Sequence, residues 1–533
     1  MKLPRIFCRG LCVLVLLACA GTTIAADKEE LETLRETTLR LIQLMVDQGM
    51  MTQEKANELI QEAKLAAEKN AAEKSAAEKV APEQKEVKAA DTPKGKDGKA
   101  TNVIRVPLVP ETVKEEIREQ IKQEVLTQAK AERWGEPGAN PEWLDRIKID
   151  GDLRLRMQAD RFDKSNTSAE NLSVEGINVK NTTKDRFRMR IRGRIGLQAK
   201  LNDKFGAVFR LATGSADDPV STNATQGNYG NRYTVAIDRA YLYYQPKPWI
   251  RIAGGRMPNP WLHTDLVWDE DLNFDGLYVN LRKNFFKDKF TGFMTAGIFP
   301  IQDIESSGTN QAKSKWLYGM QAGVEWVKSE KASFKIGLGL YDFKNIEGRL
   351  NGDQLTAQND TAPQFRQKGN TLIDIDPSPT SERWALASKF REVNLTATAD
   401  FNVFDPYHVL VALDYVKNIG FDKSDITART KSDFEEKTTG FQARVTYGIP
   451  QVEKRFDWNA YFGYKYLERD AVVDAFTESD FRLGGTDSKG YYLGGNYGLD
   501  KNVWLSAKWL SADVIDGRKF SVDVLQFDLN ARF

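Results

Sequence analysis

From position 145 onward, apolar and polar residues take turns along the chain. Ile147, Ile149, Leu153, Leu155 and Met157 alternate with Lys148, Asp150, Asp152, Arg154, Arg156 and Gln158. Further on, Phe187, Met189, Ile191, Ile195, Leu197 and Ala199 alternate with Arg186, Arg188, Arg190, Arg192, Arg194, Gln198 and Lys200. A period of two is the signature of a β-strand with one oily face and one polar face. One such strand also suits a soluble sandwich, so the whole series has to decide. The alternation predicts sixteen strands, at 146–159, 186–201, 204–212, 233–244, 248–256, 276–283, 290–299, 316–327, 333–343, 392–403, 408–417, 438–449, 456–467, 489–498, 502–511 and 521–533.

The connections between these strands alternate in length. Short links such as Asn202-Asp203-Lys204, Gln245-Pro246-Lys247 and Leu499 to Lys501 are followed by longer polar loops, the largest from about Lys344 to Arg391. Short turns on one rim and long loops on the other define an outer-membrane barrel, and an even strand number returns both ends of the barrel to the short-turn, periplasmic rim. Aromatic residues near strand ends (Tyr243, Tyr244, Trp249, Trp316, Trp326, Trp458, Tyr491) fit interfacial girdles. The last strand, with Leu525, Phe527, Leu529 and Ala531 on one face, stops at Phe533. The expected fold is an all-β, antiparallel, up-and-down transmembrane barrel of about sixteen strands over 145–533.

If the oily face meets lipid, the charged face lines the interior, because a charge on the lipid side at mid-bilayer costs about 2–4 kcal/mol. Arg186, Arg188, Arg190, Arg192 and Arg194, with Arg154 and Arg156 on the neighbouring strand, then form a basic wall facing the lumen. Two readings stand for this wall: a ladder that attracts anions, or arginines paired with acids that only structure the lumen. The third long loop carries Asp265, Asp269, Glu270, Asp271 and Asp275. Folded inward, those acids would face the arginines and set a transverse field across a constriction. An exposed acidic loop, or a calcium or lipopolysaccharide contact, is the other reading.

The region before the barrel has a different period. Residues 1–26 have Lys2, Arg5 and Arg9, an apolar stretch from Leu11 to Ala20 and small residues around Ala25, the layout of a secretory signal peptide. Leu16-Leu17-Ala18-Cys19 also resembles a lipoprotein cleavage box. The three cysteines, Cys8, Cys12 and Cys19, all fall in this leader, so cleavage after Ala25 or Ala26 leaves no disulfide and no cysteine metal site. Residues 27–80 are helical in pattern, with coiled-coil-like character and an Ala-Ala-Glu-Lys repeat. Residues 81–110 are Lys-, Pro- and Gly-rich and read as a linker. Residues 111–134 form a further helix, with Val113, Ile117, Ile121 and Val125 on one narrow stripe. This extension is expected in the periplasm.

Composition sharpens the class. Charged residues make up 28% and mean hydropathy is −0.50, which disfavours membrane helices but says nothing against barrel strands. Removing the leader's three basic residues turns a formal net charge of +1 into −2, so bulk charge does not mark a nucleic-acid partner. The only histidines, His263 and His408, have no evident serine partner, and no cofactor or catalytic constellation is expected.

The passage Arg105-Val106-Pro107-Leu108-Val109-Pro110-Glu111 and the run Trp143-Leu144-Asp145-Arg146 into Gly151-Asp152-Leu153-Arg154-Leu155-Arg156 resemble the "putative porin" family of Gram-negative bacteria, over most of the chain. The resemblance implies an outer-membrane barrel for passive diffusion of small hydrophilic solutes, and trimers are common among porins. Terminal Phe533 resembles the signal read by the barrel assembly machinery, and outer-membrane lipid and lipopolysaccharide are the expected surroundings. The rival function is a structural anchor that tethers the barrel to peptidoglycan or a partner through the N-terminal helices.

Overall fold

The computed structural model describes residues 146–286, 289–329, 331–352, 356–378 and 380–533. The leader (1–26), the helical segment (27–80), the linker (81–110) and the helix at 111–134 lie outside the described residues. Sixteen strands form the wall: β1 (Ile147–Phe162), β2 (Arg186–Lys200), β3 (Phe205–Thr213), β4 (Val235–Lys247), β5 (Ile250–Pro258), β6 (Asn273–Phe285), β7 (Phe290–Gln302) and β8 (Lys315–Ser329). They continue as β9 (Ala332–Lys344), β10 (Arg391–Phe404), β11 (Tyr407–Asn418), β12 (Thr439–Gly448), β13 (Trp458–Leu467), β14 (Ser488–Asp500), β15 (Val503–Val514) and β16 (Val522–Arg532). Each of the sixteen expected strands is present.

Consecutive strands pair antiparallel throughout, and β16 returns to β1, so the sheet closes. The seam runs from Phe162 opposite Val522 to Asp152 opposite Arg532. It is locked at its end by the Gly151 N–H donating to the Phe533 carbonyl at 2.9 Å and the Phe533 N–H donating back at 3.1 Å. A Cβ on Gly151 would lie 2.5 Å from the Phe533 ring, so the last aromatic needs that glycine.

Alternation along each strand sets the two faces. On β1, Leu153, Leu155 and Met157 are 41–48% exposed on the outside, while Arg156, Gln158 and Asp160 are buried inside. On β16, Phe527 and Leu529 are exposed and Gln526, Asp528 and Asn530 are buried. The oily sets therefore do not pack against one another. Outside, near the short-turn rim, a belt of rings runs around β7 to β13: Phe290 on Trp326, Trp326 on Phe334, Phe334 on Phe401, and Tyr407 on Tyr447 and Trp458. Tyr243 is not part of such a girdle. Its ring lies 4.2 Å from the Arg251 guanidinium and packs on the interior core, while Tyr244 stacks on Phe205. A bulge beside Arg210 in β4 also lets both Asp238 and Arg239 reach interior partners, Arg210 and Asn273.

The wall has one patch. β3 is short, so above Arg194 the edge of β2 pairs instead with Ala224–Thr225 from the β3–β4 loop. The Gln226 N–H then donates to the Met189 carbonyl at 2.8 Å. This loop contacts Arg154 and Arg190 through Asn223 and Ser221 and then emerges to a fully exposed Tyr229.

The interior is not polar throughout. Towards the long-loop rim, inward residues Phe299, Leu317, Tyr341, Phe343, Val416 and Leu467 are buried under Trp261, Leu266, Val267 and Trp268 of the β5–β6 loop and Val472, Val473 and Ala475 of the β13–β14 loop. The long β9–β10 loop (345–390) joins them through Phe390 and Leu386 and carries a two-strand ladder, Leu372–Asp374 with Trp384–Leu386. Alternation alone gave no sign of this second, interior core.

Leu338 lies midway along β9 and is 57% exposed on the outer face. Leu338→Arg is expected to destabilise the barrel by about 2–4 kcal/mol in urea unfolding from lipid vesicles. An unchanged unfolding midpoint would mean that this face does not meet hydrocarbon.

Candidate functional site: a charged chamber under two inward loops

The β5–β6 loop (259–272) turns into the barrel because its apolar residues have interior partners. Trp268 packs edge-on to Phe274 and Tyr341 at about 5 Å. The Leu262 N–H donates to Gln321 Oε1 at 2.7 Å, and Gln321 Nε2 returns a bond to the Leu262 carbonyl at 2.8 Å. The β13–β14 loop (468–487) meets it inside the barrel. The Asp269 N–H donates to the Phe476 carbonyl at 2.8 Å, the Ser479 N–H to Asp269 Oδ2 at 2.9 Å, and the Thr477 hydroxyl to the Leu266 carbonyl at 2.8 Å.

Beneath this clamp is a chamber of about 430 Å³. Its basic side is an arc of strands bearing Arg444 (β12), Lys508 (β15), Arg154 and Arg156 (β1) and Arg192 (β2). Its acidic side comes from the loops, as Asp265, Asp269, Glu270 and Asp271 of one and Glu478 and Asp480 of the other.

Most of the arginines hold carboxylates. Arg156 forks onto Asp528 through two bonds of 2.9 Å and reaches Asp480 at 3.0 Å. Arg192 and Arg194 share Asp152 at 2.9 and 2.7 Å, and Arg194 reaches Asp271 at 3.1 Å. Arg188 pairs with Asp160 at 3.4 Å. Arg154 and Arg190 have neutral partners instead, Asn223 Oδ1 at 2.6 Å and Ser221 Oγ at 3.3 Å. Arg186 is exposed at the start of β2. Of the seven arginines, Arg154, Arg156 and Arg192 line the chamber.

The loop acids differ among themselves. Burial opposes ionisation of Asp265, but Arg444, Lys465 and Lys508 outweigh it and hold the carboxyl below the usual range. Asp271 is likewise buried and likewise held low, by Arg192, Arg194 and Arg154. Asp269 is pushed well up by burial and by neighbouring Asp271. Glu270 is exposed to the chamber. Asp275 is not brought here: it is the third residue of β6, is half exposed, and pairs with Arg256 at 3.0 Å.

The β13–β14 loop was missed by reasoning from sequence. Burial opposes ionisation of Asp480, yet Arg156 and Lys508 hold it low, whereas burial pushes Glu478 up despite Lys508 at 2.8 Å and Lys465 at 3.4 Å. A signal existed in Ala471-Val472-Val473 and Ala475-Phe476, an apolar run unsuited to a loop in water. Lys508 and Arg444 were also legible, as charges at inward positions of alternating strands.

Among the described residues no group of three or more His, Cys, Asp or Glu is arranged to hold a metal ion. His408 Nδ1 meets Asp400 Oδ1 at 2.6 Å and His263 Nδ1 meets the Thr264 carbonyl at 3.2 Å.

A closed sixteen-strand barrel with an oily exterior, short turns on one rim and inward loops over a charged chamber is a porin-type outer-membrane channel. The family model described as "Putative porin" matches residues 35–533, and the chain belongs to that family. Solved structures of similar fold include the outer membrane channel DcaP of Acinetobacter baumannii, at 12% identity over 73% of this chain and 97% of that one, with a TM-score of 0.40. Pseudomonas putida OprB, in a high-pH structure, is 11% identical over 74% of this chain and 96% of its own, with a TM-score of 0.41. Salmonella typhi OmpF, in complex with daunomycin, is 10% identical over 73% and 97%, with a TM-score of 0.38. No curated protein matches the sequence. By family and by its own closed barrel the protein is an outer-membrane porin, which points to a channel rather than an enzyme.

Two outcomes test the clamp. Arg156→Gln leaves Asp480 and Asp528 buried without their shared cation, so the folded barrel should lose about 3–5 kcal/mol, read by urea unfolding. In the upper part of the β13–β14 loop, burial pushes Asp474 up to about 7 from an ordinary 3.8, against the pull of Arg366 and Lys368 and with Asp470 adding to the rise. Between those two values the folded chain keeps a proton that the unfolded chain has released. The contribution of Asp474 to stability is therefore full below pH 3.8 and is lost as pH rises towards 7. Asp474→Asn should remove that share and leave a shallower fall from Asp470, pushed up to about 6 by burial, and from buried Asp414, measured as the thermal midpoint across the same pH range.

Proposed function

We propose that solutes diffuse through the chamber between the basic arc and the acidic loops, and that small hydrophilic anions are favoured over cations. The observation that carries this reading is Arg154, which lines the chamber and has a neutral side chain, Asn223, as its hydrogen-bond partner. Arg190, behind it on β2, is likewise held by a serine. Of the loop acids, Asp271 and Asp480 are tied to arginines and Glu478 to lysines, so their charge is locally balanced. Glu270 stays open across the chamber, and a permeating dipole would turn between it and the arginines. The constriction acids in this reading are Asp265, Asp269, Glu270 and Asp271, joined by Glu478 and Asp480.

The chain enters β1 at the short-turn rim, since Ile147 pairs with Ala199 beside the β2–β3 turn. That favours a periplasmic N-terminal segment and keeps tethering to peptidoglycan or a partner as a compatible second role. The exposed arm around Tyr229, emerging through the wall patch, favours self-association, with the trimer as the form implied by resemblance. Phe533, locked into the seam, is the residue that would carry the assembly signal.

Replacing Arg154 and Arg190 together by Gln should lower the anion-to-cation permeability ratio in planar bilayers. Reversal potentials in a salt gradient give the ratio. Identical potentials for the two proteins would remove the anion preference and leave the channel itself standing.

A further inference from the structure

Charge pairing in the chamber leaves two lining groups unmatched. Arg444, on β12, lines the chamber and has no hydrogen bond and no ion pair within 4.0 Å among the described residues. Three cations, Arg444, Lys465 and Lys508, act on Asp265. Lys465 and Lys508 also hold Glu478, at 3.4 and 2.8 Å. Around Asp265, two acids therefore answer three cations, and the positive charge left over falls on Arg444, the one without a bonded partner.

Glu270 is the counterpart among the acids. It is exposed, lines the chamber, and makes no side-chain hydrogen bond or ion pair among the described residues. The other lining acids are engaged. Asp271 meets Arg194 at 3.1 Å, and Asp480 and Asp528 meet Arg156 at 3.0 and 2.9 Å. Asp269 accepts from the Ser479 N–H at 2.9 Å, and Asp265 accepts from Gln442 Nε2 at 2.5 Å. Glu270 is among the charges that act on Arg444, and both act on the Tyr461 hydroxyl, which lines the same space. An open cation and an open anion thus face one part of the chamber.

Arg444 also stands where two spaces meet. A further cavity of about 260 Å³, nearer the short-turn rim, shares Leu410, Arg444 and Thr446 with the chamber. A solute passing between them must pass this guanidinium. A simple anion drawn to Arg444 meets the repulsion of Glu270 and Asp265. A simple cation drawn to Glu270 meets that of Arg444. A solute with a carboxylate and an ammonium a few bonds apart meets neither. Its carboxylate accepts from the open guanidinium donors, whose fork matches two oxygens, and its ammonium donates to Glu270. The chamber, at about 430 Å³, has room for such a molecule.

We propose that Arg444 and Glu270 form a subsite for small zwitterions, Arg444 taking the carboxylate and Glu270 the ammonium. The proposal rests on the chamber being the solute path and names a solute class for it beyond the anion preference. The full-length protein is reconstituted in planar bilayers, and L-alanine or 4-aminobutyrate is added to the potassium chloride bath. Neither carries net charge, so occupancy is read as a saturable fall in single-channel current. Lactamide, the uncharged isomer of alanine, is the control. At least one of the two zwitterions is expected to reach half-effect at a concentration at least about tenfold below that of lactamide. Glu270→Gln and Arg444→Gln should each raise that concentration at least about fivefold, whereas Arg444→Lys, which keeps the charge, should raise it less. Glu270 is an exposed loop residue, so Glu270→Gln decides the matter if Arg444→Gln gives no conductance steps. The proposal fails if both zwitterions act no better than lactamide, or if either Gln variant that conducts leaves the effect unchanged. Reversal potentials in the same bilayers keep the two readings apart. A preserved anion preference without a zwitterion effect overturns the subsite alone, and a zwitterion effect without the preference supports the subsite and removes the preference.

Discussion

In hydrocarbon no water completes a backbone hydrogen bond, so a sheet that crosses a membrane must have no free edge. Closure of β16 on β1 is the step that satisfies this condition, and the last residue takes part in it through paired bonds between Gly151 and Phe533. Everything else about the wall follows from a closed cylinder in lipid. Once the edges are gone, the period of two assigns each side chain to lipid or interior, except where the bulge in β4 turns both Asp238 and Arg239 inward. Even the short strand β3 obeys the constraint, because Ala224–Thr225 supplies bonds to β2 where β3 cannot.

The same assignment creates a problem inside. Strands β1 and β2 send arginine after arginine into one lumen, and like charges at cross-strand positions repel: Arg154 stands opposite Arg192 and Arg156 opposite Arg190. The structure answers with carboxylates from three sources: the wall itself (Asp152, Asp160, Asp528), the β5–β6 loop (Asp271) and the β13–β14 loop (Asp480). The loops are thus held inward by charge at their lower edge and by Trp268, Phe476 and their neighbours at the upper edge. Neither force alone explains the arrangement, since the arginines would be as well served by wall acids and the apolar residues by any dry surface.

This division also explains what could be read from the chain and what could not. Strand positions, the short and long rims and the inward direction of the arginines depend on alternation and turn length, both local properties. The pairing of Arg188 with Asp160 on the adjacent strand was nearly legible, being a cross-strand neighbour once the register is known. The partners of Arg156 were not, because Asp480 is brought from a loop 324 positions away by contacts no local pattern contains. Asp275 looked like the end of an acidic loop but is the third residue of β6, where its pairing with Arg256 takes it out of the constriction group. Tyr243 misled for a related reason: the residue beside it, Tyr244, occupies the outward position. The apolar run around Val473 was visible, but its meaning depends on there being a hydrophobic surface inside a barrel expected to be wet.

The two loops consequently divide the lumen into spaces of different chemistry, and one set of bonds positions both. Ser479 and Asp269 join the loops at the level of the charged chamber, and Gln367 and Asn370 brace the same β13–β14 segment from above. A shift in that segment would therefore alter the apolar core above and the position of Glu478 and Asp480 together.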